Sequence, residues 1–65
     1  SERSFLINVE TTATLILKDQ NGNIVWTRTV EAGMITLSTK GLDGRYRLIL
    51  KEAGTPDNVA GILVY

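Results

Sequence analysis

Sixty-five residues confine this chain to one small domain, residues 1–65, at a size where folding buries only about 60% of the unfolded surface and stability is marginal. With no cysteine and no histidine, it excludes a disulfide scaffold and any imidazole-based metal site, so stability must come from its core or from contact with another chain or domain. Seven basic and seven acidic side chains cancel, which argues against a nucleic-acid partner and against attraction to an anionic membrane; no apolar run approaches the ~20 residues of a membrane span.

In chain order, Phe5 to Val9 reads as a first strand, with Phe5, Ile7 and Val9 on one face. Thr12 to Lys18 is the second, with Ala13, Leu15 and Leu17 on one side and Ile16 and Lys18 on the other. Ile24 to Val30 is the third and Met34 to Ser38 a short fourth. Thr39 to Gly44 is a turn-rich segment that carries the apolar Leu42. Tyr46 to Glu52 is the fifth strand, with Tyr46, Leu48 and Leu50 on one face. After the loop Ala53 to Asn58, Val59 to Tyr65 closes the chain, interrupted by Gly61. No segment holds a helical period, and glycines recur about every ten residues after Gly22, the spacing of strand turns. The pattern predicts an all-β fold: a small antiparallel β-sandwich or barrel of six or seven short strands. Leu15, Leu17, Ile35, Leu37, Tyr46, Leu48 and Leu50 are its expected core.

The strongest local signal is Asp19-Gln20-Asn21-Gly22-Asn23 between two alternating runs, a hairpin turn. Two registers fit it. A loop of Asn21-Gly22 alone pairs Leu17 with Trp26. A loop of Gln20-Asn21-Gly22, with Gly22 left-handed, pairs Asp19 with Asn23 and Leu17 with Val25. Turn chemistry favours the second, because Asp19 then opens a type I turn whose amides its side chain can accept. That register makes Val25 core and puts Ile16, Ile24 and Trp26 on the opposite face, whereas a one-residue slip would exchange the faces and bury Trp26.

The succession of apolar alternation, Asp19-x-x-Gly22-x-x-Val25, Ile35-x-Leu37, Gly41-Leu42-x-Gly44-x-Tyr46-x-Leu48-x-Leu50 and a closing apolar strand resembles the small immunoglobulin-like β-sandwich modules of secreted Bacteroidetes proteins, including the C-terminal sorting domains of type IX secretion. The resemblance spans residues 12 to 65, and the chain lacks the basic extreme C-terminus common in the sorting domains. It implies an immunoglobulin-like fold and an extracytoplasmic, non-catalytic module: extracellular, at the cell surface or periplasmic. A start at Ser1 without Met is expected of a processed or excised piece.

Three constellations invite chemistry. Asp19, Asn21 and Asn23 have the one-three-five spacing of a calcium loop, but its glycine comes early and Val30 stands where the bidentate glutamate belongs, so a hairpin turn is the reading and no metal or cofactor is expected. Arg28, Arg45 and Arg47 neighbour Trp26 and Tyr46 in sequence. Tyr46 alternates with its arginines, which makes a solvated strand face of them and not a stacking platform for nucleic acid. The aspartates fall in separate turns and the glutamates near strand ends, with no nucleophile–base pair, so no catalytic residue and no enzyme is expected.

Trp26 is the residue most open to a functional reading. Ile16, Ile24, Trp26, Ile49, Leu63 and Tyr65 are the expected interaction surface, an apolar cluster on the outer face to be covered by a protein partner or a second copy. The alternatives are a carbohydrate-binding module that stacks sugar on Trp26 and Tyr65, and a subunit of a larger assembly.

Overall fold

The computed structural model of this protein describes residues 4–56 and 58–64, and for Ala60 and residues 62–64 the backbone alone. Six strands follow one another: β1 Ser4–Val9, β2 Ala13–Asp19, β3 Ile24–Val30, β4 Gly33–Ser38, β5 Arg45–Glu52 and β6 Asn58–Val64. No helix occurs among the described residues. The strands form two antiparallel sheets, β1 beside β4 and the order β3-β2-β5-β6. Short links at residues 10–12 and 31–32 and the longer segment 39–44 carry the chain from one sheet to the other.

Alternation decides which side of each strand is inside. Phe5, Ile7 and Val9 of β1 and Ile35 and Leu37 of β4 meet Ala13, Leu15 and Leu17 of β2 and Tyr46, Leu48 and Leu50 of β5 in one core. Leu15, Leu17, Leu48 and Val9 are the largest fully enclosed side chains. Each contributes roughly 1.5–3 kcal/mol of burial, which makes these few residues decisive for a domain this small. Leu15, Leu17, Ile35, Leu37, Tyr46, Leu48 and Leu50 all belong to it, with Ile35, Tyr46 and Leu50 half-buried around the leucines, whereas Val25, core in the favoured register, does not. Tyr46 also ties down the segment before β5: its hydroxyl donates to the Asp43 carbonyl and accepts from the Asp43 N–H, both at 2.9 Å.

The β2–β3 hairpin departs from expectation in one informative way. Its turn is the three-residue loop. Asp19 N–H donates to the Asn23 carbonyl at 2.9 Å, Gly22 N–H donates to the Asp19 carbonyl at 3.0 Å, and Gly22 has φ +85°. Asp19 Oδ1 accepts from the Asn21 and Asn23 amides, each at 2.9 Å. Lys18 then pairs with Ile24, but Leu17 pairs with Trp26, and Val25 is the extra residue of a β-bulge. From Trp26 onwards the strand therefore shows the face opposite to the one expected. Val25 is 45% exposed and not core, while Trp26 packs against the core and Val30 is buried. The energetic reason is plain. Without the bulge, Thr27 and Thr29 would face inward beside Leu15 and Ala13, and Trp26 and Val30 would lie outside. An indole alone carries 150–250 Å² of area, and inward threonine hydroxyls would need partners. The turn holds one register, the apolar pattern demands the other, and one extra residue reconciles them.

Candidate functional site

The outer face of the four-stranded sheet follows from its register. One row across it runs Thr27, Ile16, Ile49 and Val59; the next runs Ile24, Lys18 and Arg47; Arg45 follows two residues before Arg47, and Thr29, Thr14 and Lys51 make a row at the other end. Ile24 is 60% and Val59 53% exposed, while Ile16 and Ile49 are half-buried by their neighbours. Of the expected surface, the structure thus brings Ile16, Ile24 and Ile49 together. Trp26 is a correction: the bulge moves it to the inner side, at the open edge of β3. Leu63 pairs with Tyr46, an inner-row residue, and its side chain lies outside the described residues, as does Tyr65 altogether. Val59 takes a place on this face because β6 carries its own register shift, between the positions opposite Leu48 and Ile49.

The cations on this face were not legible as a group. Lys18 stands directly across from Arg47, and Arg45 shares the face. Nearness in sequence instead suggested Arg28, which the bulge sets opposite Leu15 on the inner-side rim. No ion pair joins Lys18, Arg45 or Arg47 to a carboxylate among the described residues. The nearest carboxylate, Asp19, belongs to the adjoining inner row and is engaged by its turn amides. An open depression of about 560 Å³ lies here, lined by Lys18, Asp19, Arg45, Tyr46, Arg47 and the turn.

Charge is distributed unevenly along the strands. Glu10, Glu31 and Glu52 sit at the end where β1 meets β2, β3 meets β4 and β5 turns into β6. There Thr11 Oγ1 donates to Glu52 Oε2 at 2.9 Å. Lys18, Lys40, Arg45 and Arg47 lie towards the other end, together with Asp19 and Asp43.

A second depression, about 360 Å³, runs along the open edge between the sheets and is lined by Trp26, Thr27, Arg28, Leu37 and Ser38. Among the described residues, no three carboxylates converge as a metal site would require. No helix is long and apolar enough to cross a membrane. Comparison with protein-family models, curated proteins and solved structures returns no match to this chain.

Proposed function

We propose that this protein is a small immunoglobulin-like β-sandwich acting as a non-catalytic protein-interaction module outside the cytoplasm, with the outer face of its four-stranded sheet as the contact surface. The order β1-β4 against β3-β2-β5-β6 is what strands B–E and C′–C–F–G of an immunoglobulin-type sandwich would give, which supports this reading. The Tyr46 hydroxyl bound to the Asp43 backbone, at the start of the strand that answers to F, supports the same reading, since it resembles a tyrosine corner. The observation that carries the interaction role is the apolar cluster of Ile16, Ile49 and the exposed Val59 in one row and the exposed Ile24 in the next, on a sheet face with no layer over it among the described residues. Clusters of this kind on a small domain mark contacts, whereas single exposed apolar residues do not. The test is site-specific photo-crosslinking in cells of the source organism. A crosslinker at position 24 should capture a discrete partner, and one at position 55, in the turn between β5 and β6, should not. Equal capture, or none at either, would sink the reading.

A second reading, glycan binding, draws on the groove that Trp26 lines together with Thr27, Arg28, Leu37 and Ser38. It requires Trp26 fluorescence to respond to glycans.

A further inference from the structure

We propose that Lys18, Arg45 and Arg47 form an acceptor for a carboxylate-rich segment of a partner protein, whose apolar side chains would lie over Ile16 and Ile49; this rests on the interaction reading above. The carrying observation is the direct opposition of Lys18 and Arg47 across the β2–β5 ladder. Like charges at such positions are destabilising, and neither cation has a carboxylate partner among the described residues. The isolated domain therefore carries a repulsion that an incoming anionic group would relieve, and Arg45, exposed on the same face, adds a third positive charge.

Several features narrow the occupant to an acidic polypeptide. The cationic row adjoins an apolar row, which leucine-like side chains can cover and a phosphodiester backbone cannot. Trp26 and Tyr46 belong to inner rows, so the face has no aromatic platform for bases among its described residues. A second copy set face to face with its cationic end in register would bring cation against cation.

The test uses the whole chain, isotopically labelled, titrated with a peptide of alternating glutamate and leucine, with a single-stranded oligonucleotide of matched charge as comparison. Amide resonances of Lys18, Arg47 and Ile49 should shift with the peptide, and rising salt should weaken the effect. Arg47→Glu should raise the dissociation constant by about tenfold or more. The same substitution should not unfold the chain, because it turns a like-charge cross-strand pair into an attractive one, and a higher melting temperature verifies this. Arg28→Glu, which changes a cation on the other side of the sheet, should leave binding unchanged. The proposal is overturned by absence of shifts at the patch, by an oligonucleotide that binds as tightly as the peptide, or by Arg28→Glu acting as Arg47→Glu does. It is also overturned if the protein alone self-associates in a salt-sensitive way that Arg47→Glu abolishes, since the occupant is then the acidic end of another copy. A partner captured at position 24 with no peptide binding would refute the acidic acceptor and leave the interaction role standing.

Discussion

Trp26 stands directly across from Leu17 in the β2–β3 ladder, although the turn between them closes with Asp19 paired to Asn23. The single extra residue that makes both pairings compatible is Val25. It places an indole beside the enclosed leucines of β2 and leaves a valine in solvent.

Substitutions at these neighbours should therefore behave in opposite fashion to their sizes' usual surface risk. Trp26→Ser removes a half-buried ring from the edge of the core and should cost about 2–3 kcal/mol, somewhat below the range for a fully buried aromatic. Val25→Ser should stay within about 0.5 kcal/mol of the parent. Urea denaturation of both variants checks the bulge, and the reverse order would place Val25 inside.

Gly22 has a left-handed φ of +85°, and a Cβ there would meet nothing within 4 Å. The cost of Gly22→Val is then purely a backbone cost, on the order of 1–2 kcal/mol. Gln20→Ala should hardly change the melting temperature. Equal effects would show that the turn does not need its glycine.

Leu48→Ala acts on a residue only 2% exposed, between β2 and β6 in the larger sheet. Truncation of a buried leucine costs about 2–5 kcal/mol. A domain this size has roughly 3–10 kcal/mol in all. Circular dichroism at room temperature should find the variant largely unfolded, and a well-folded one would show that the two sheets do not share this core.

Tyr46→Phe keeps the ring and deletes the hydroxyl that bridges the Asp43 amide and carbonyl. A loss of about 1–2 kcal/mol is expected, with hydrogen exchange at Asp43 accelerated relative to the strands. Unchanged exchange at Asp43 would mean that the ring, not the hydroxyl, holds residues 39–44.

Arg47→Glu should stabilise the chain by about 0.2–1 kcal/mol, through the cross-strand pairing with Lys18. Thermal melts at low and high salt give the check, because the gain must shrink as charge is screened. A destabilised variant would show that Arg47 already has a favourable partner.

Strand positions, inward leucines and the turn at Asp19 were legible locally, because alternation with period two and the Asp-x-x-Gly turn are written within a few consecutive residues. The faces of β3 and β6 beyond their bulges were not. A bulge is the outcome of a competition between turn geometry and burial on a distant sheet, and no window of sequence contains both terms. For the same reason the cationic row stayed hidden: Lys18 and Arg47 are far apart in the chain and adjacent only in the ladder. The all-β class and the core residues of β2, β4 and β5 were thus a property of the chain itself, whereas the inward turn of Trp26 and Val30, and the surface that Ile16, Ile49, Lys18 and Arg47 make together, exist only once the strands have paired.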